Sequence, residues 1–572
     1  MSRGGLSVQP FALLGVIALL LGGVVLLFPP ADANASTSDA ERLDYLSTTA
    51  SINSTSHSAE ADNPDEGEEY PDTTPLQAQL RARDKAQVTA ALAGISKRDA
   101  PFLAPALPIL PGSTPVLVLP ARTEPYRLTP LASQFPQAVW KMPGGSIRLG
   151  LPLLVAPGAS LTIDSAETPS ILLDSGSLNY ATIIAVEANL RFTGTAEQPL
   201  GVSSRDPASQ ALDATATDGR AYISASGSRM DFDHVTASGL GFLVGETSGV
   251  AWMAREGAPS TGGARDSTFS GNYFGAYSSG AAGLNFTRTR FTDNAVYGFD
   301  PHTDTTGTVI EDSMAARNGR HGLIFSRACS NNVIRRFESF DNGGSGIVID
   351  DGNDDGDTAT QGSDNNQVVA AHTHDNKAAG IVIEGGTGNS VGQSLAQANP
   401  VGIWVKNGAT GTRVTATAVR GSDQTGIRLE GGTASTTATD VAIEQSTVGI
   451  ADQGARATTL TDVRIVDAAA AGVTVSPDTR QLTLTDVSVA GEGKRAYALI
   501  GPPGTTDDTP PEGLRTDEWS AARTGLHPGL SADFWVQLIP WLLVLAIPAL
   551  LWLPIRWRWR RRLRAMHGEA GK

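Results

Sequence analysis

A short pattern of apolar residues, each time introduced by a glycine, recurs along the middle of the chain. It reads HGLIF at Gly322 and SGIVI at Gly346, begins with FGAY at Gly275 and returns as AGVTV at Gly472. Successive glycines of this series lie 22–24 residues apart, except for one interval of 34 that contains the insertion DDGNDDGDTATQ. One glycine-bounded strand per coil of this length predicts an all-β fold, a right-handed parallel β-helix solenoid. A leucine-rich repeat has a similar period, but its LxxLxL core is absent, and a β-sandwich is the remaining alternative.

The alternation within each coil predicts which side chains face the interior. The first and third residues after the glycine are apolar and should point inward, whereas the second and fourth should point outward. In the coil at Gly298 the outward residues are Asp300 and His302, with Pro301 between them. Because proline lacks an N–H for the ladder, it indicates a local distortion of this strand. One turn is expected to carry a hydrogen-bonded ladder of asparagines from successive coils: Asn294, Asn318, Asn342 and Asn376.

Both ends of the chain are apolar. Residues 11–28 carry no charge, and the run at 534–555 is followed by RWRWRRRLR, a positive flank that should stay in the cytoplasm. We predict terminal transmembrane helices, or a cleaved signal peptide at the N-terminus, with the solenoid membrane-anchored and extracytoplasmic. The predicted organisation is a signal peptide or anchor over 1–35, an acidic disordered spacer plus a short helix over 36–100, a Pro-rich connector over 101–139, the solenoid over 140–500, a linker over 501–533, a transmembrane helix over 534–555 and a basic cytoplasmic tail over 556–572.

Charge and cysteine content narrow the class of partner. The formal net charge of −16 argues against nonspecific nucleic-acid binding. The single cysteine, Cys329, excludes an intrachain disulfide and any zinc site built from cysteines. Arginines nevertheless gather in the coils around Gly298, and a local patch of this kind can hold a polyanion. These arginines are Arg288, Arg290, Arg317, Arg320, Arg327, Arg335 and Arg336.

Stacking of the coils should bring polar residues of different coils together. Equivalent positions of neighbouring coils lie roughly 4.8 Å apart, so that two coil spacings span about 10 Å. Within that distance we expect the side chains of Tyr297, Asp300, His302, His321, Arg327 and Asp350. The alternative for each histidine and arginine is a solvated side chain on the outside of the solenoid.

These residues also resemble a known family. YGFDPH at 297–302 resembles the YG(x)DPH motif of the alginate (mannuronan) C5-epimerases. The two following coils, NGRHGLIFSR and DNGGSGIVID, are similar to the next coils of that family. Thr303 stands where members of the family often carry an acidic residue, and Arg265 is the candidate substitute for an upstream lysine.

The resemblance implies a chemistry for which these residue types are suited. Inverting C5 of a uronic acid removes a weakly acidic proton next to a carboxylate, and a bidentate guanidinium lowers that cost while a histidine acts as base. By resemblance and register, His302 is the base, Arg327 neutralises the carboxylate, Tyr297 is the candidate acid and Asp300 orients the base. The expected substrate-binding residues are His321, Arg290, Arg320, Asp350 and the outward Trp404, which could stack on a sugar ring. No cofactor is required.

The same residues are compatible with other functions. Expulsion of the 4-O substituent from the same intermediate would make the protein a polysaccharide lyase. A non-catalytic solenoid that binds glycans at the cell surface is the alternative from another class. The expected partners are an anionic polysaccharide and the membrane, with polysaccharide export machinery as a further candidate.

Two motifs bear on metal binding. DGNDDG at 351–356 matches the first half of a calcium loop, with Asp351, Asn353 and Asp355 as candidate ligands, but the closing glutamate is replaced by Gly362. HTH at 372–374 has no partner carboxylate at a fixed spacing, and we interpret it as exposed turn histidines. We therefore expect no metal, with calcium as the alternative.

Overall fold

The computed structural model describes residues 73–95, 98–107, 112–352, 362–500, 506–507 and 509–521. The predicted signal peptide or anchor, the transmembrane helix at 534–555 and the basic tail lie outside these residues. The calcium candidates Asn353 and Asp355 do so as well. Across the described ranges, no helix is both long and apolar enough to cross a membrane.

The described strands wind into coils that stack in parallel register, as predicted. Each coil gives one strand to a first sheet and one or two strands to a second sheet. In the described residues the first sheet has 17 strands: Phe102–Ala104, Val116–Leu119, Leu153–Val155, Thr182–Val186, Tyr222–Ser226, Val250–Met253, Ala276–Ser279, Phe299–His302, Leu323–Ser326, Ile347–Asp350, Ala379–Glu384, Val401–Lys406, Thr425–Glu430, Val448–Gln453, Ala471–Val475, Arg495–Ile500 and Thr506–Asp507. Over the same ranges the second sheet has 28 strands: Val139–Lys141, Ile147–Leu149, Ser160–Asp164, Ser170–Gly176, Asn179–Tyr180, Asn189–Thr193, Leu200–Arg205, Arg229–Asp233, Val235–Ser238, Thr261–Arg265, Thr268–Ser270, Asn285–Thr287, Arg290–Thr292, Val309–Glu311, Met314–Ala316, Val333–Arg335, Glu338–Phe340, Gln367–Val369, His372–His374, Ser390–Gly392, Leu395–Gln397, Arg413–Arg420, Thr437–Glu444, Thr459–Val466, Thr483–Thr485, Val487–Gly493, Leu514–Arg515 and Trp519–Ala521.

Parallel pairing extends past the predicted limits of the solenoid. Val116–Leu119 pairs in parallel with Leu153–Val155, so part of the connector predicted over 101–139 belongs to the first coil. At the other end, Trp519–Ala521 pairs in parallel with Val487–Gly493, although the prediction placed it in a linker. The coiled region is therefore longer at both ends than the glycine series indicated.

The predicted alternation of inward and outward residues is confirmed in the central coils. Leu323 and Phe325 are fully buried in the apolar interior of the solenoid. Ile324 and Val348 belong to a separate apolar cluster on the outer face of the first sheet. Each buried side chain of this size stabilises the fold by about 1.5–3 kcal/mol. The free thiol of Cys329 is buried in the same interior, so packing and backbone ladders hold the described coils together.

The predicted asparagine ladder is present and longer than predicted. The amide nitrogen Nδ2 of Asn294 donates to Oδ1 of Asn318 at 2.9 Å, and Asn318 donates likewise to Asn342 at 2.9 Å. The same oxygens accept the backbone N–H of the residue one coil earlier, at 3.2 and 3.1 Å. The ladder therefore satisfies buried backbone groups at a turn where the strands cannot. Its members are Asn272, Asn294, Asn318, Asn342, Asn376 and Asn399, and a second ladder consists of Asn332, Asn366 and Asn389.

A helix precedes the solenoid, as predicted for the region 36–100, and it packs on the N-terminal coils. Thr74 and Gln77 form a capping box at its start. Leu80 packs in an apolar cluster with Tyr180 of the second sheet and Tyr222 of the first sheet. The helical segments are Pro75–Ala93, Leu128–Gln134 and the 3₁₀ turn Pro143–Gly145.

Candidate active site

Neighbouring strands of the first sheet carry the predicted site residues. The strand Phe299–His302 pairs in parallel with Leu323–Ser326, and His302 lies opposite Ser326. The next strand in turn places Asp350 opposite Ser326. The coils that carry the predicted base and the predicted guanidinium are therefore direct neighbours, as the coil register predicted.

His302 is a buried histidine at the end of its strand. Only 7% of the residue is exposed, so the alternative of a solvated surface histidine is wrong. Its Nδ1 lies 2.6 Å from the hydroxyl oxygen of Thr303, and the ring of Tyr277 in the preceding coil is 5.8 Å away. Burial, and secondly the positive charge of Arg327, lower the pKa of His302 to about 4. The imidazole is therefore uncharged at neutral pH, the form that can accept a proton.

Arg327 directly follows the neighbouring strand and is held by an unusual backbone. Its φ is 60°, in the left-handed region, and Thr303 in the equivalent turn of the preceding coil has φ 30°. The N–H of Asp304 donates to the carbonyl of Arg327 at 3.0 Å, which fixes the two turns against each other. Gly352 packs against the arginine so closely that a Cβ there would overlap Arg327 Cγ. Gly352 thus leaves the space that the Arg327 side chain occupies, and the charge of this arginine contributes to lowering the pKa of His302.

Tyr297 and His321 form a stacked pair beside the strand. Their ring centroids are 5.3 Å apart and the planes differ by 10°. Tyr297 is 1% exposed and also contacts Phe274 edge to face at 5.2 Å, and the Arg320 guanidinium lies 5.8 Å from its ring. His321 Nδ1 accepts the backbone N–H of Ser345 at 2.8 Å. This bond fixes the proton of a neutral His321 on Nε2.

Asp300 is fully buried on the same strand as His302. Its Oδ1 accepts a hydrogen bond from the Ser326 hydroxyl at 3.4 Å, across the two coils. In the preceding coil Tyr277 lies opposite Asp300 in the ladder. Burial, followed by the charge of Asp300, raises the pKa of Tyr277 well above its usual value. A protonated phenol and a carboxylate thus lie one coil apart beside the histidine.

Two predicted binding residues differ from the expectation, Arg290 in its sheet and Trp404 in its exposure. Arg290 is exposed on the strand Arg290–Thr292, which belongs to the second sheet, so it does not join this group. Trp404 points outward as predicted, but it is only 5% exposed. Lys406 Nζ and the guanidinium of Arg428 lie 4.5 and 4.6 Å from its ring. The tryptophan therefore packs against cations and is not an exposed surface for a sugar.

The acidic residues after the strand Ile347–Asp350 shape the turn. Asp350 Oδ1 accepts the backbone N–H of Gly352 at 2.7 Å, and the Asp350 carbonyl accepts the Ser363 hydroxyl at 2.5 Å. Asp351 is buried, and Gly385 of the next coil packs against its carboxylate. Since the other two calcium candidates lie outside the described residues, the expectation of no metal here and its calcium alternative both stay predictions.

The sequence reasoning missed Tyr277 and the pair Glu384 and Lys406. Tyr277 is the second residue after Gly275, and the same register rule that singled out Asp300 would have found it. Lys406 Nζ lies 3.1 Å from a Glu384 carboxylate oxygen, in the outward column that continues from His302. The column was visible in the sequence as the fourth residue after each glycine.

Comparison with known proteins agrees with this fold. Residues 257–419 match the family model described as the right handed beta helix region. The crystal structure of the periplasmic alginate epimerase AlgG superposes with a TM-score of 0.53 and 18% identity, covering 66% of this chain and 85% of that one. At this identity the likeness shows the fold alone, a right-handed parallel β-helix.

The resemblance to the epimerase family is confirmed by sequence over part of the chain. Mannuronan C5-epimerase of Pseudomonas syringae pv. tomato is 34% identical over 105 residues, 18% of this chain and 19% of that protein. The enzyme of the same name from Pseudomonas putida is 31% identical over 156 residues, 27% of this chain and 28% of that protein. The matched segments thus span about a fifth to a quarter of the length of these curated relatives.

Proposed function

We propose that the protein is an isomerase that inverts C5 of uronic acid residues in an anionic polysaccharide, of the mannuronan class, outside the cytoplasmic membrane. The observation that carries the proposal is the buried, uncharged imidazole of His302. It lies one coil from Arg327, whose positive charge helps to lower its pKa. The partial likeness to mannuronan C5-epimerases supports the choice of reaction and polymer. Membrane attachment and contact with export machinery stay predictions.

In this reaction the histidine and the arginine depend on each other. A histidine with a pKa of about 4 is a weak base, so it removes the C5 proton only if the charge that develops on the carboxylate is stabilised. A guanidinium bound to both carboxylate oxygens provides that stabilisation, and loss of a comparable donor typically costs about 10²–10³ in rate. The proton passes from C5 to the imidazole, and the electron pair is delocalised into the carboxylate that Arg327 binds.

A second group must return a proton to the opposite face of the sugar. Tyr297 is our proposed donor, stacked on His321 beside the strand. Tyr277 is the second candidate, because its ring is 5.8 Å from His302 and its raised pKa keeps the phenol protonated. Asp300 binds Ser326, the residue opposite His302, and would orient the base through this contact.

The test is incubation of the purified protein with polymannuronate in deuterated water, followed by proton NMR of the polymer. Epimerisation would convert C5 centres and introduce deuterium there. His302→Gln and Arg327→Gln should abolish both changes, whereas Arg290→Gln, an exposed residue of the other sheet, should leave them intact. Circular dichroism would establish that each variant is folded.

Three outcomes would contradict the proposal. New absorbance from unsaturated chain ends, without inverted C5 centres, would identify a lyase that uses the same residues. Neither exchange nor cleavage on a panel of polyuronates, with binding retained, would identify a non-catalytic glycan-binding solenoid. Activity that survives His302→Gln would show that another residue is the base.

A further inference from the structure

Two histidines and a glutamate meet on the second sheet, away from the site of His302. The strands Glu338–Phe340 and His372–His374 pair in parallel, with Glu338 opposite His372 and Phe340 opposite His374. Thr373 between the histidines is fully buried, so both imidazoles lie on the outer face. The HTH motif therefore lies on a strand, and its interpretation as exposed turn residues is wrong.

The side chains of this cluster converge on one point. His374 Nε2 is 3.4 Å and His372 Nδ1 is 4.0 Å from the same oxygen, Oε1 of Glu338. The three candidate ligand atoms lie within 4.8 Å of one another. Around a tetrahedral zinc ion with bonds of about 2.0–2.1 Å, ligand atoms are roughly 3.4 Å apart. The edge between His374 and Glu338 already has this length, and a rotation of the His372 side chain would have to shorten the two other edges, which are 4.0 Å and at most 4.8 Å.

The surroundings hold His374 in the orientation that a metal ligand needs. Its Nδ1 lies 2.8 Å from an Asp375 carboxylate oxygen, so Nε2 faces Glu338. A carboxylate on the remote nitrogen is the usual second contact of a metal-bound histidine. Phe340 stacks on the ring with centroids 4.9 Å apart and planes differing by 4°.

We infer that Glu338, His372 and His374 form a binding site for a divalent transition-metal ion of the zinc type. Two imidazoles and a carboxylate suit zinc, cobalt or nickel, whereas calcium and magnesium prefer oxygen ligands only. The three side chains are 18–24% exposed, which leaves room for solvent as a fourth ligand.

The ion would join two coils whose sequence interval is longer than those of the coil steps directly before and after them. Residues paired across this step are 34 positions apart, instead of the 24 found one coil earlier. A metal bridge across it would fix the register where the repeat is interrupted, because binding free energy of a metal adds to folding free energy. The inferred role of the site is thus structural, and it is independent of the proposed reaction.

A second cluster, Asp233, His234 and Asp266, offers a matched control. Its carboxylates are already engaged, since Arg265 binds Asp233 at 2.5 Å and Arg288 binds Asp266 at 2.6 Å. These arginines would have to be displaced before a cation could bind. The second cluster therefore also combines histidine with carboxylates, but its carboxylates are not available to a cation.

The experiment is titration of the chelator-treated full-length protein with Co²⁺, followed by visible absorption, and with Zn²⁺, followed by calorimetry. We expect one ion per chain with a tetrahedral cobalt spectrum. His372→Gln and His374→Gln should weaken binding at least 100-fold, and Asp375→Asn, which alters only the contact to Nδ1, by about 10–100-fold. His234→Gln should bind as the unaltered protein does.

Thermal unfolding provides a readout that does not depend on the cobalt spectrum. Zn²⁺ should raise the unfolding temperature of the unaltered protein and of His234→Gln, but not that of a folded His374→Gln variant. Absence of saturable binding below about 1 mM Co²⁺ would overturn the proposal, because that affinity is too weak for a built site. Loss of binding in His234→Gln, or full binding in both His372→Gln and His374→Gln, would overturn it equally.

Discussion

The buried imidazole of His302 should respond to acidification differently from an ordinary histidine. With a pKa of about 4, about 97% of this residue is uncharged at pH 5.5, whereas an ordinary pKa of about 6.5 would leave about 9% uncharged. The fraction of imidazole that can act as a base at that pH therefore differs about tenfold between the two cases. We expect the acid limb of kcat/KM on polymannuronate to have its midpoint near pH 4, because kcat/KM reports the free enzyme.

The pKa itself is measured by NMR on protein labelled at the histidine Cε1 position. The chain has eight histidines, and the signal of His302 is the one that His302→Gln removes. In Arg327→Gln the pKa should rise, since one of its two causes is gone, yet stay below 6.5, since burial is the larger cause. A midpoint near 6.5 in the unaltered protein would refute the burial, and an unchanged midpoint in Arg327→Gln would refute the proximity of the guanidinium.

Binding of substrate should shift the same pKa upward. A uronate carboxylate on Arg327 offsets the positive charge that helps to keep His302 unprotonated. The acid midpoint of kcat, which reports the complex, should then lie above that of kcat/KM but below 6.5. Coincident midpoints would indicate that the carboxylate does not bind at this arginine.

Three further substitutions test the space around Arg327, the contact of the base with Thr303, and the asparagine ladder. Gly352→Ala should reduce activity more than tenfold, because the new Cβ displaces the site arginine; Gly408→Ala, with a similar positive φ and nothing within 4 Å, is the control that should stay active. Thr303→Asp should raise the pKa of the base by at least about one unit in the NMR titration, since a carboxylate would replace the hydroxyl on Nδ1, whereas Thr303→Val should not raise it in this way. Asn318→Ala should lower the free energy of unfolding in urea by roughly 2–5 kcal/mol, because it leaves two buried N–H donors of the asparagine ladder without an acceptor. Arg317→Ala, which removes an exposed ion pair, should cost less than about 1 kcal/mol in the same assay.

The coil register could be predicted from the sequence because one residue type marks it. A Cβ at Gly298 would collide with the carbonyl of Gly322 one coil on, and the same collision recurs at Gly322 against Gly346. Only glycine fits where neighbouring backbones approach this closely, so the spacing of these glycines shows the repeat in the sequence. Once the glycines align, the apolar alternation and the asparagine ladder follow, and so does the position of His302 beside the next coil.

Burial of the outward side chains could not be read from the same pattern. Alternation states which face a residue occupies, but not what packs against that face. Trp404 and His302 both point outward as predicted, yet they are 5% and 7% exposed. For the histidine this burial decides the chemistry, since it is the main cause of the pKa of about 4. For Arg290 the prediction failed for another reason. Its position close to His302 in the sequence suggested a place in the same site, but its strand belongs to the second sheet.

The carboxylate partner of the histidine pair on the second sheet was missed for a geometric reason. Strands of that sheet have no glycine marker, so their register follows only from counting residues around the coil. Between Glu338 and His372 the count is 34, because the insertion lies within this step, and a search at 22–24 residues leads instead to Asp350 and Asp351, at the end of a strand of the first sheet. Parallel stacking nevertheless sets the pairing, since strands on both sides of the interruption must keep their ladder bonds. In a solenoid, therefore, the residues worth testing as partners of a polar strand are those at the same ladder position in the next coil, whatever their separation along the chain.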